Sequence, residues 1–355
     1  MTNVIAGKVS KVPSAATETA ESEVEVDEAP MPPRRRSLKS LAITVLRIVF
    51  TVAVIAGVAY TTATQWSEVK GYIHDLSWPA LGASLSMALL GLVAGVFAWR
   101  AALAAVGHQV TPRTASQIYL IGLLAKYLPG SVWAFVLQME LGKRANLPRA
   151  RAFLASIITV GLGITASMAF SVFGLSALAE VGRWAMILLL IIVPVSIICA
   201  HPRVLTFLVE KLLKLLRRNP LDMQITWRGV GSVLIWSAIA AVANGVHLWL
   251  LASGTAAPGF GGLLRCIGAI ALGMTIGLFA FLVPSGLGVR EAIIVATLLP
   301  YVPNAGVALG MALASRLIFV LADLIAGAFA GALAVKDFRR RAAGTAAMEA
   351  AAAGS

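Results

Sequence analysis

Charge is scarce in this sequence. Only 13% of its 355 residues are Asp, Glu, Lys or Arg, about half the share found in soluble globular chains. With a mean hydropathy of +0.87, that excludes a soluble enzyme. Cysteine is scarcer still: Cys199 and Cys266 are the only two. They stand far apart in apolar runs and form no C-x-x-C pair, which excludes a disulfide scaffold and a Cys-based metal or iron–sulfur site. His74, His108 and His201 fall in expected loops and show no H-E-x-x-H spacing. Neither a G-x-x-x-x-G-K-[ST] loop nor a G-x-S-x-G elbow is present, so the chain is expected to carry no ATPase and no serine hydrolase of its own. Its sixteen acids are too scattered for a metal cage. We therefore expect no enzyme activity, no cofactor and no resident metal.

What the sequence has in abundance is apolar length. Residues of the set AVILMFWYC make up 59% of it, and a helix crosses a bilayer with about 20 of them. Six segments meet that need: about 41–63, 79–104, 152–178, 184–200, 231–252 and 305–335. Two further apolar stretches, about 115–141 and 263–300, are interrupted by Pro and Gly. The first break contains Pro129 and Gly130, the second Pro284, Ser285, Gly286 and Gly288. Proline removes a backbone donor and glycine weakens a helix, so each stretch reads as a broken, re-entrant hairpin. Unwound backbone at membrane depth survives only where protein or a water-filled cavity surrounds it.

The formal net charge of +13 indicates orientation and anionic headgroups here, not a nucleic-acid partner. With the N-terminus in the cytoplasm, twenty Lys and Arg fall on cytoplasmic segments and only Lys70 and Arg183 outside. Both flanks of the first hairpin are basic and both flanks of the second are uncharged, so the hairpins enter from opposite sides. The expected fold is an all-α integral membrane protein with about six full transmembrane helices plus two broken re-entrant helical hairpins in an inverted repeat. Its units are about 79–178 and 231–335. Residues 1–40 hold six of the sixteen acids between Glu18 and Glu28 and read as a disordered cytoplasmic arm. No cleaved signal peptide is expected, the 41–63 run serving as an uncleaved anchor. Residues 201–228 read as a basic amphipathic loop, with Lys211, Lys214 and Arg218 on one helical side. Residues 336–355 read as a basic, then Ala-rich and frayed, cytoplasmic tail. The place expected for such a chain is a bacterial plasma membrane.

Ionisable groups at depth mark interiors and pathways. Lys126, Glu140, Arg265, Arg290, Glu291, Arg316 and Asp323 are the candidates. Arg290 follows the second break, where free N–H groups of a half-helix attract anions. Glu291 either pairs with Arg290 or takes up a proton. Arg316 and Asp323 lie two turns apart on one face of the last span, and Lys126 is either the mirrored cation or a side chain reaching the inner interface. Ion pairing among Arg290, Glu291, Arg316 and Asp323 is the structural alternative to substrate contact. Asn244 and His247, one turn apart, suit a proton relay or ordinary interhelical hydrogen bonding.

Pro284-Ser285-Gly286-Leu287-Gly288-Val289-Arg290-Glu291-Ala292, followed by a span with Ala314-Ser315-Arg316-Leu317, resembles the hallmark end of the lysylphosphatidylglycerol synthase transmembrane-region family. Leu128-Pro129-Gly130 resembles its first half-motif. Ser285 breaks the family's Gly pair, and Ile157-Ile158-Thr159-Val160 lacks the charge usual after the first motif. The resemblance implies a flippase related to the half of the multiple peptide resistance factor that moves aminoacylated phospholipids outward. Other relatives are membrane portions of glycosyltransferases that use polyprenyl carriers. No acyltransferase domain is expected after Arg341. The implied ligand is a phospholipid or polyprenyl-linked lipid with a polar headgroup. The alternative is a non-transporting component that presents a lipid to a separate lipid-modifying or glycosyltransferase enzyme.

Overall fold

The computed structural model describes residues 63–64, 66–127, 132–174, 183–215, 224–252, 259–279 and 288–353. The expected arm and nearly all of the first expected span lie outside them, as do Pro129, Gly130, Pro284, Ser285, Gly286 and Arg218. The described residues form helices and connections with no strand, the one open-chain solution that satisfies every backbone group inside a bilayer.

The helices are α1 (Trp66–Asp75), α2 (Trp78–Ala105), α3 (Pro112–Leu124), α4 (Trp133–Arg144), α5 (Arg149–Ser171), α6 (Arg183–Ala200), α7 (Pro202–Leu215), α8 (Trp227–Ala252), α9 (Gly259–Phe279), α10 (Val289–Leu298) and α11 (Ala305–Ala353). Local chemistry sets the starts. The Ser77 hydroxyl accepts from the Ala80 N–H and Thr111 from Thr114, each with a proline in the first turn. Five helices are long and apolar enough to cross a membrane: α2, α5, α8, α9 and the first 33 residues of α11. A sixth is reached only if Ile191–Ala200 of α6 and Pro202–Leu215 of α7, bent by 83° against each other, are taken as one broken span.

Both broken stretches return to the end they start from. In the first, α3 and α4 lie so close that a Cβ on Gly122 would overlap the Gln138 Cγ. In the second, the Arg265 guanidinium at the start of α9 stacks 3.9 Å from the Tyr301 ring just beyond α10, and Gly273 deep in α9 touches Arg290 at the start of α10. The arms are unequal, since α9 has 21 residues and α3 only 13. Gly245 of α8 meets Ile267 of α9 without a side chain between them.

Two large apolar clusters, one towards each end, and a small one around Met168 and Leu272 hold the bundle together. The first joins Trp99, Leu103, Ile118, Leu154 and Ile158 with Leu213 of α7 and Val230 and Val233 of α8. The second joins Tyr72, Leu248, Ile270, Ile294, Leu298, Met311 and Phe319. Contacts between helices are paired: α2 meets α8, α11 meets both α2 and α3, and α5 meets both α8 and α9. Thus each outer helix of one unit packs on the first span and the first hairpin arm of the other.

α7 is amphipathic. Pro202, Thr206, Val209 and Leu213 are buried while Arg203, Lys211 and Lys214 are exposed. The expected frayed tail differs: α11 continues as helix to Ala353, because alanine has the highest helix propensity. The Arg113–Asp337 pair, 2.7 Å, ties its lower part to α3.

Candidate functional site

The four arms of the two hairpins meet at one cavity of about 250 Å³. α3 and its closing 3-10 turn contribute Tyr119, Leu123, Lys126 and Tyr127; the first turns of α4 contribute Ala134, Phe135 and Gln138. From the other side come Gly273, Met274, Gly277 and Leu278 of α9 and Arg290 of α10. Ser156, Thr159 and Val160 of α5 and Arg316, Phe319 and Asp323 of α11 complete the wall. α4 and α10 both begin here, so their helix dipoles add positive potential.

The charges are distributed unevenly. Lys126 Nζ lies 2.6 Å from Asp323 Oδ2, whose side chain is only 1% exposed, and the Tyr127 hydroxyl donates to the same oxygen at 2.5 Å. Arg316 Nη1 donates to Glu291 Oε1 at 3.2 Å. The other Glu291 oxygen accepts from the Gly288 N–H at 2.6 Å, capping α10 as an N3 glutamate does. Gly288 has φ +81°, a left-handed conformation that suits glycine. Arg290 is the exception. It is 7% exposed, its Nη2 reaches the Ser315 hydroxyl at 3.4 Å, and its guanidinium lies 4.2 Å from the Phe319 ring. Its Nε and Asp323 Oδ1 are buried without a hydrogen-bond partner among the described residues.

Of the residues singled out from sequence, Lys126, Arg290, Arg316 and Asp323 line the cavity, and Glu291 holds Arg316 from behind. Lys126 faces α11, with its ammonium on Asp323. Glu140 lies elsewhere, paired with Arg149 at 2.6 Å with 42% of its side chain exposed. Arg265 stays with Tyr301, away from the cavity. Asn244 and His247 do not bond to one another. The Asn244 Oδ1 abuts Gly91 without a hydrogen-bond partner among the described residues, while His247 bridges Ser84 and Ser315.

Sequence reasoning missed Tyr127, Gln138, Ser156 and Thr159. Gln138, Ser156 and Trp99 form a buried chain in which Trp99 Nε1 donates to Ser156 at 3.0 Å and Ser156 donates to Gln138. Spacing offered a faint signal, since Tyr127 directly follows Lys126, but nothing local distinguishes Ser156 from any small polar residue in a span.

Among the described residues no group of His, Cys, Asp and Glu has the geometry to hold a metal ion. What the cavity can do is bind. It offers cations, hydroxyls and half-helix N-termini to an anionic polar group, beside apolar walls that continue into the membrane-facing helices. No curated protein matches the chain significantly. Residues 44–330 match the lysylphosphatidylglycerol synthase TM region, and the chain belongs to that family of integral membrane domains.

Proposed function

We propose that the protein is a flippase: the polar headgroup of a phospholipid or polyprenyl-linked lipid crosses through the cavity while its tails stay in the bilayer. The observation that carries this reading is the convergence of four half-helix ends on one cavity in which Arg290 has no carboxylate partner among the described residues. Broken helices meeting between two halves are the usual construction of a transport site. The paired helix contacts support an inverted repeat, with one hairpin serving each leaflet. Arg100, Arg113, Lys143, Arg144, Arg149, Arg151, Arg203 and Arg228 cluster on segments at one end of the bundle, which supports placing that end in the cytoplasm. In this reading the protein performs no bond chemistry of its own.

Reconstitution tests it. Vesicles receive the protein and fluorescent lipids with phosphoglycerol, phosphoethanolamine, phosphocholine or polyprenyl phosphate headgroups, and leaflet accessibility is scored by dithionite bleaching. Protein-dependent loss of protection for an anionic headgroup is the expected result. Binding without movement would instead assign the protein to presentation of lipid to a separate envelope enzyme.

A further inference from the structure

His247 is 0% exposed and sits outside the cavity wall, behind Arg290. Its hydrogen bonds fix its tautomer. The Ser84 hydroxyl donates to the His247 carbonyl at 2.9 Å, which uses its single proton. The same oxygen lies 2.6 Å from His247 Nδ1, and the Ser84 carbonyl, an acceptor only, lies 3.2 Å from it. Nδ1 must therefore carry a proton and donate. The neutral ring then presents Nε2 as an acceptor to the Ser315 hydroxyl at 2.9 Å. With its proton turned towards His247, the Ser315 oxygen keeps its lone pairs for Arg290 Nη2.

The bonds run in one direction: Arg290 donates to Ser315, Ser315 to His247, and His247 to Ser84. Phe319, one turn after Ser315, closes the same seat. Its ring lies 4.6 Å from the imidazole and 4.2 Å from the Arg290 guanidinium. Gly273 leaves room for the Arg290 stem, since a Cβ there would come within 3.3 Å of Arg290 Cγ. α2, α8, α9 and α11 thus jointly hold one side chain of α10.

We propose that His247 is a positioning residue that, through Ser315, orients Arg290 to meet an anionic headgroup; this rests on the flippase reading above. The role is directional. An asparagine at 247 can reproduce the Nδ1 donor to Ser84 but not the acceptor to Ser315, whereas a glutamine extends far enough to accept from Ser315.

Two measurements decide it. In protein labelled with 15N-histidine and placed in phosphatidylcholine nanodiscs, the signal lost in His247→Gln identifies the residue. The expected signature is a neutral Nδ1–H tautomer at pH 7, with an Nε2 resonance that moves in Arg290→Gln. A cationic or Nε2–H ring, or an Nε2 signal indifferent to Arg290→Gln, overturns the proposal whether or not the protein moves lipid. In vesicles carrying fluorescent phosphatidylglycerol, His247→Asn and Ser315→Ala should each slow translocation about tenfold to a hundredfold, the worth of one hydrogen bond to a charged group. The double variant should be no slower than either single one, and His247→Gln should recover to within about threefold of the parent. Additive losses, or a His247→Gln no better than His247→Asn, contradict it. If His247→Asn fails to fold, Ser315→Ala and the tautomer of the parent protein carry the decision. Absence of translocation in the parent protein defeats the flippase reading and leaves the spectroscopic arm to judge the positioning.

Discussion

Arg290 and Glu291 are neighbours in the chain, yet adjacent residues on a helix point about 100° apart, and each finds its partner on α11. Glu291 meets Arg316; Arg290 meets Ser315 and Phe319. Exchanging Glu291 for Gln should therefore destabilise the protein by about 1.5–3 kcal/mol, because it removes the buried carboxylate that the half-buried Arg316 contacts. Adding Arg316→Gln should restore much of the loss, while adding Arg290→Gln should not. Thermal unfolding in detergent reads the difference directly. Arg290→Gln alone should leave folded protein and remove most translocation, and Glu140→Gln should leave translocation unchanged because Glu140 is exposed beside Arg149. Four of the cavity residues were legible in the sequence because a charge within an apolar run is costly unless it faces an interior or a cavity. Which of the charges pair, Glu291 with Arg316 and Lys126 with Asp323, was not, because pairing across helices depends on which faces meet. Ser315 looks ordinary, and His247 reads only as a relay or interhelical hydrogen-bonding partner of Asn244, until the packing places both behind Arg290.

At the scale of the element, Pro and Gly marked both breaks, and periodicity marked α7. The unequal lengths of α3 and α9 were hidden, since a run of small and apolar residues does not state where it stops. Close approach within the first hairpin makes a sharp prediction. Gly122→Leu would drive a side chain into the space of Gln138, parting α3 from α4 and breaking the Gln138–Ser156 contact. The expected outcomes are a lowered Tm and an enlarged, leaky cavity, read as faster cysteine labelling of a Thr159→Cys variant. The bend of 83° before α7 predicts that this helix lies along the membrane surface. Spin labels at Leu208 should then report lipid, and labels at Lys211 the aqueous interface. Equal oxygen accessibility at both positions would contradict that placement.

For the whole molecule, the pairing of helix contacts joins sequence to proposed mechanism. In the proposed inverted repeat, each unit contributes a hairpin to a cavity whose charges are paired, among the described residues, except at Arg290. An anionic headgroup bound there carries its charge across the field. One elementary charge gains about 2.3 kcal/mol per 100 mV, a bias of about fiftyfold, so an inside-negative potassium-diffusion potential should favour outward movement of phosphatidylglycerol. The most direct measurement of the central claim is a reversible cross-link across the cavity. Ala134→Cys on α4 and Leu278→Cys on α9 both face it, and Cys199 and Cys266 are first replaced by Ser. Bridging the two sites with a cleavable dithiol-reactive linker should stop translocation of fluorescent phosphatidylglycerol in vesicles, and reduction should restore it. Unchanged translocation by fully bridged protein would contradict passage of the headgroup between the two hairpins.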